Sequence, residues 1–104
     1  MTTHPSFVID QIVALERRRL ILECLAGHSG ELWHRELMAK LGFSSAVVSQ
    51  HGIVLEKHGY IFRERSIRNG KQQTKVVLTA RGQQALLDYQ RSVEAILAKP
   101  KQVA

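Results

Sequence analysis

Cysteine is almost missing from this 104-residue sequence: only Cys24 is present, which excludes an intrachain disulfide and any zinc site built from several thiolates. Long apolar runs are missing as well. No stretch approaches the roughly 18 consecutive apolar residues that a membrane span needs, and the first residues lack the basic-then-apolar order of a secretion signal. The expectation is a soluble, cytoplasmic protein without a membrane partner. Acidic residues are in short supply, nine Asp and Glu against fifteen Lys and Arg, so the formal net charge is +6 and the pI about 10.0. That balance attracts polyanions, although where the charge sits matters more than its sum. Catalytic constellations are also lacking. None of the five histidines (His4, His28, His34, His51 and His58) has a carboxylate, serine or cysteine at a spacing that assembles a triad. His51 and His58 fall seven residues apart on one helical face with no third ligand nearby, so no enzyme, metal site or cofactor is expected. Cys24 shares an apolar face with Leu20, Ile21 and Leu25 and reads as a packed residue rather than a redox switch.

The 44% hydrophobic content is ordinary for a chain that buries one small core. Residues 1–5 read as a disordered lead, 6–99 as one folded unit with an N-terminal helical arm and a C-terminal dimerisation helix, and 100–104 as a tail. Apolar residues recur at helical spacing in Phe7, Val8, Ile12 and Leu15, and again in Leu20, Ile21, Cys24 and Leu25, until Gly27 stops the pattern. The two stripes drift relative to each other, which favours an arm joined to the first domain helix over one continuous helix. Arg17 to Arg19, between the stripes, either touch phosphate or form a solvated face, the commoner role of a charge run. After the loop His28-Ser29-Gly30, Glu31-Leu32-Trp33 reads as an edge strand and His34 to Leu41 as a short helix with Leu37, Met38 and Leu41 on one face. Trp33, flanked by Leu32 and Leu37, reads as a core or hinge-packing residue.

The stretch Leu41 to Lys57 organises the rest. Gly42 ends one helix, and Ser44 or Ser45 can cap the next by accepting from its first free N–H groups. Val48 and Leu55 form an apolar stripe interrupted by Gly52, with Val47, His51, Val54 and His58 alongside; Gly52 allows either close packing against the preceding helix or a slight bend. Ser45, Ala46, Ser49, Gln50 and Ile53 lie on the other side. This is a helix-turn-helix pattern, whose second helix fits a major groove about 12 Å wide. There Gln50 can pair bidentately with adenine, and Ser49 can bond phosphate or a base edge. No Lys or Arg occupies the first turns, so this helix is expected to discriminate more than to attract. Gly59 ends it with a left-handed cap. Tyr60 to Arg65 reads as a strand, Ser66 to Gln72 as a turn region containing Asn69-Gly70, and Gln73 to Leu78 as a second strand. The hairpin concentrates Arg65, Arg68, Lys71 and Lys75 against Glu64 alone, so its tip should meet phosphates or the minor groove rather than merely solubilise the chain. Thr79 caps a last helix, Ala80 to Lys99, with apolar Ala85, Leu86, Leu87, Tyr89, Val93, Ile96 and Leu97. Its far end would be exposed in a monomer. The expected dimer interface is Phe7, Val8, Ile12, Tyr89, Val93, Ile96 and Leu97 across a two-fold axis.

The order of elements gives an α+β fold, mainly α: a winged helix-turn-helix with a two- or three-stranded β-wing and long terminal helices forming a dimer interface. From about Leu20 to Leu97 the chain resembles the compact, MarR-like winged-helix transcriptional regulators of bacteria and archaea. The carriers are Arg19-Leu20-Ile21-Leu22, Glu36-Leu37 to Leu41-Gly42, Ser49-Gln50-His51, Leu55-Glu56-Lys57-His58-Gly59-Tyr60-Ile61 and Leu78-Thr79-Ala80-Arg81-Gly82. The resemblance implies a homodimer, expected to be a repressor, that binds double-stranded DNA at a pseudo-palindromic operator. It further implies base reading by Ser45, Ala46, Ser49 and Gln50, with Ser44 capping or contacting phosphate, and a wing set of Arg65, Arg68, Lys71 and Lys75. Gly52 and Gln50 stand where such regulators usually carry a large apolar and often a basic residue, respectively. A winged helix used as a protein-interaction module is the alternative, slightly favoured by Ile53 and Val54, and a small-molecule effector is left open.

Overall fold

A computed structural model describes residues 9–98. Eight elements follow in chain order: α1 (Gln11–Ala14), α2 (Glu16–Ala26), β1 (Glu31–Trp33), α3 (His34–Leu41), α4 (Ser45–Lys57), β2 (Ile61–Arg68), β3 (Lys71–Leu78) and α5 (Ala80–Leu97). The expected arm is thus two helices in series. Asp10 starts α1 by accepting from the N–H groups of Ile12 and Val13, and Leu15 is extended, with φ −68° and ψ 120°, which breaks the run. Arg19 closes the break. Its Nη1 donates to the Ala14 carbonyl at 2.9 Å and the Val13 carbonyl at 3.4 Å, and to the Tyr89 hydroxyl at 3.1 Å, tying α1, α2 and α5 together.

The core gathers one apolar face from nearly every element: Val13, Ile21, Leu22 and Leu25, then Leu32, Leu37, Val48 and Leu55, and finally Tyr60, Ile61, Val76 and Leu86. Three antiparallel strands in the order β1-β3-β2 cap one side of it. Both long strands extend further than the sequence suggested. The region expected to be a broad turn, Ser66 to Gln72, contributes three residues to β2 and two to β3, leaving a two-residue turn at Asn69-Gly70. Both turn residues have positive φ (53° and 74°), the left-handed pair that matches the twist of a hairpin. Ile67 is the one apolar side chain there, so apolar patterning gave no strand signal, but the backbone ladder continues without it.

Two sequence motifs interlock. α4 ends in paired capping bonds, Gly59 N–H to the Glu56 carbonyl and Tyr60 N–H to the Leu55 carbonyl, both 2.9 Å, with Gly59 at φ 76°. Thr79 starts α5 by accepting from the Gly82 N–H at 2.9 Å, and its hydroxyl donates to the Gly59 carbonyl at 2.6 Å. The Thr79 N–H donates to the Tyr60 carbonyl at 3.1 Å. α5 comes so close that a Cβ on Gly82 would stand 2.0 Å from that same Tyr60 oxygen. The wing is therefore bolted to α4 and α5 at its base.

Candidate nucleic-acid interface

Ser44 is the cap of α4, its Oγ accepting from the Val47 N–H at 3.2 Å. The helix buries Val48, Gly52 and Leu55 and turns outward Ser45, Ala46, Gln50 and Ile53, all exposed, with Ser49 half-buried at the margin. The four expected base-reading residues, Ser45, Ala46, Ser49 and Gln50, therefore share one accessible surface. Gly52 faces β2 rather than the preceding helix. The side chains of Ile61 and Arg63 on β2 lie over it, 4.0 and 3.7 Å from where a Cβ would be.

Beside this helix lies a polar cleft of about 340 Å³ lined by His34, Arg35, Ser45, Ser49, Arg63, Arg65, Gln72, Gln73 and Thr74. Six of its residues, His34, Arg35, Arg63, Gln72, Gln73 and Thr74, had no part in the expected site; for the first two, helical spacing alone gave no sign that the start of α3 adjoins the start of α4. His34 Nε2 lies 3.0 Å from Ser45 Oγ. Burial, followed by the nearby Arg63 charge, holds the His34 imidazole below its ordinary pKa, so it is predominantly neutral near pH 7. Arg63 itself is committed. Glu56 accepts from its backbone N–H at 2.9 Å, from Nη2 at 2.9 Å and from Nε at 3.2 Å. The Arg63 hydrogen bond, the largest cause, holds the Glu56 carboxyl below its usual value.

Strand alternation divides the expected wing set. Arg65 shares a face with Arg63 and Ile67, toward α4, whereas Arg68 and Lys75 lie on the other face. There the Arg68 guanidinium and the Lys75 ammonium stand 4.9 and 5.3 Å from the centre of the Trp33 ring. Trp33 is thus a half-buried platform for two cations rather than a core residue. Lys71 is exposed next to the turn, opposite Arg68. The arginine run also divides: Arg19 is spent on structure, while Arg17 is exposed and Arg18 half-buried, close enough to His51 for their charges to lower its pKa after burial has done so.

Of the expected dimer residues, Phe7 and Val8 lie outside the described residues. Ile12 and Tyr89 pack against the chain's own core, and Val93 is half-buried. Ile96 and Leu97 are 47% and 79% exposed. Cys24 is half-buried against the core, and burial raises its thiol pKa. Among the described residues no group of three or more His, Cys, Asp or Glu side chains could hold a metal ion, and no helix is long and apolar enough to cross a membrane.

The model of a winged helix DNA-binding domain matches residues 18–97, from within α2 to the end of α5. The chain belongs to that family. Solved structures are similar over most of the chain. A transcriptional regulator homologue from Pyrococcus horikoshii OT3 is 19% identical, with 86% of this chain and 87% of that one covered and a TM-score of 0.79. A MarR-family transcriptional regulator from Rhodococcus sp. RHA1 is 18% identical over 80% of this chain, with a TM-score of 0.66. The winged-helix chain spans 57% of that protein's length. Reduced AbfR bound to DNA is 26% identical, covering 82% of this chain and 56% of that one, with a TM-score of 0.61. No curated protein sequence matches the chain.

Proposed function

We propose that this winged helix is a sequence-specific double-stranded DNA-binding transcriptional regulator of the cytoplasm, a repressor acting as a homodimer on a pseudo-palindromic operator. The observation that carries the reading is the single surface formed by the outward face of α4, the arginine-bearing cleft beside it and the Arg65 face of the wing. A helix with small and amide side chains enters a major groove without clash, while the ribbon beyond it supplies cations for the adjoining backbone. The similarity to AbfR, solved on DNA, supports the same use. Ser45, Ala46, Ser49 and Gln50 read bases, Ser44 caps the helix or meets phosphate, and Arg65, Arg68, Lys71 and Lys75 meet the backbone or minor groove. Residues 9–98 would serve as one unit, with Ile12, Tyr89, Val93, Ile96 and Leu97 at the dimer contact. An effector would enter the cleft of about 520 Å³ lined by Asp10, Tyr60, Arg81, Asp88 and Tyr89 among others, away from the reading face.

Selection of bound duplexes from a random pool tests this directly. Two inverted half-sites are expected, with affinity falling log-linearly in salt by roughly 0.9 per phosphate neutralised. Arg68→Ala should weaken all duplexes alike, and Gln50→Ala should relax preference at one position. Absence of duplex binding at low salt would overturn the regulator reading.

A further inference from the structure

Ile53 is 54% exposed in the middle of the reading face, and nothing in the described chain covers it. It belongs to an outward stripe, Ala46, Gln50, Ile53 and Lys57, whose steps of four, three and four residues keep all four side chains on one exposed line of α4. The buried line of the helix, Val48, Gly52 and Leu55, is on the opposite side. Resting on the reading of α4 as the major-groove helix, we propose that this stripe selects A·T pairs: Gln50 bonds adenine N6 and N7, while the methyl groups of Ile53 and Ala46 pack on thymine C5-methyl groups.

The chemistry of the groove leads there. The thymine methyl is the one apolar feature a base pair shows in the major groove, and an exposed apolar side chain on the reading line gains only by meeting it. Guanine is commonly read by an Arg or Lys fork, and no Lys or Arg occurs from Ser44 to Glu56. Cytosine N4 is commonly read by an acidic acceptor; Glu56 is the one carboxylate in α4, and it is held by Arg63 through three hydrogen bonds. Ala46 and Ile53 are about 10 Å apart along a helix rising 1.5 Å per residue, close to three base-pair steps of about 3.4 Å. Lys57, in the last turn, extends the line toward backbone phosphate. The half-site under α4 is therefore a short run of A·T pairs with at least one thymine next to the adenine that Gln50 reads.

The test uses the full chain and the duplex recovered by random-pool selection. A·T pairs are expected at the four central positions of each half-site that these three steps span. Replacing thymine by uracil there removes only the methyl group and should cost about three- to fivefold in affinity per position, the effect of one buried methyl. Ile53→Ala, at an exposed site that leaves the core alone, should lose the uracil–thymine difference at the position under Ile53 and keep it at the position under Ala46. Tight, selective binding with G·C pairs at those positions would overturn the proposal and leave the DNA-binding reading standing, as would indifference of the wild-type chain to uracil. Failure to bind any duplex at low salt would overturn both, and Ile53 would then mark a surface for a protein partner.

Discussion

At the scale of single residues, two glycines of the same composition have opposite roles. Gly82 is required by a close approach: an added Cβ would meet the Tyr60 carbonyl oxygen at 2.0 Å and Leu78 Cδ1 at 2.9 Å, and the first of these is backbone that cannot rotate away. Gly82→Ala should destabilise the fold by about 3 kcal/mol or more in urea denaturation. Gly52 is ordinary helix interior with side chains of Arg63 and Ile61 at van der Waals distance. Gly52→Ala should stabilise by about 1 kcal/mol, the helix-propensity difference, and a loss instead would show that the side chains above it cannot yield. In the sequence both glycines are visible and their difference is not, because each is decided by a neighbour from another element. His51 is a further residue-scale case. Its Nδ1 and the Arg18 Nε are buried without hydrogen-bond partners among the described residues, and burial, then Arg18, then Arg17, lower its pKa. Arg18→Ala should therefore move the His51 titration, followed by NMR, upward toward the ordinary imidazole value. An unmoved titration would mean that burial and Arg17 set it without Arg18.

At the scale of elements, most boundaries were legible because caps are local chemistry. Ser44, Gly59 and Thr79 mark their helix ends in the sequence and in the structure alike. The drift of the two apolar stripes pointed to a break between arm and first domain helix, but not to what stabilises it at Leu15, which is Arg19 reaching back to the Val13 and Ala14 carbonyls and across to Tyr89. The cleft beside α4 was likewise hidden, because it needs α3, α4 and both long strands in place. Thr79 does two jobs, capping α5 and bonding the Gly59 carbonyl, so Thr79→Ala should cost about 1–2 kcal/mol, measured by denaturant midpoint. The joint between the N-terminal segment and the motif is pH-sensitive at the alkaline end. Asp10 both caps α1 and accepts from the Tyr60 hydroxyl, and burial first, then that bond, push the Tyr60 phenol up to about 12 from 10.0. The folded state holds the proton more tightly than the unfolded chain. Its contribution is complete below pH 10 and is lost as pH rises toward 12. Tyr60→Phe should flatten that part of the stability profile, and an equally steep fall in the variant would assign the slope to other groups.

At the scale of the whole molecule, the layout was readable from the order of its segments, a helix-turn-helix followed by a basic hairpin and a capped long helix. The assignment of cations to faces was not, because it depends on strand register: Arg65 looks toward α4, while Arg68 and Lys75 rest on Trp33. The far end of α5 leaves Ile96 and Leu97 exposed. If these form the dimer contact, replacing both by glutamate should give a monomer in sedimentation and weaken binding to a duplex with two half-sites, with little change for a single half-site. Unchanged sedimentation would remove them from the interface. The Glu56–Arg63 pair has a mechanical consequence at this same scale. With Glu56 on α4 gripping both backbone and guanidinium of Arg63 on the wing, helix and hairpin act as a caliper whose jaw is locked. A duplex bound in the proposed manner would have to conform to a fixed gap between two grooves, and the stiffness of base pairs lying between the jaws, which no side chain touches, would enter the affinity.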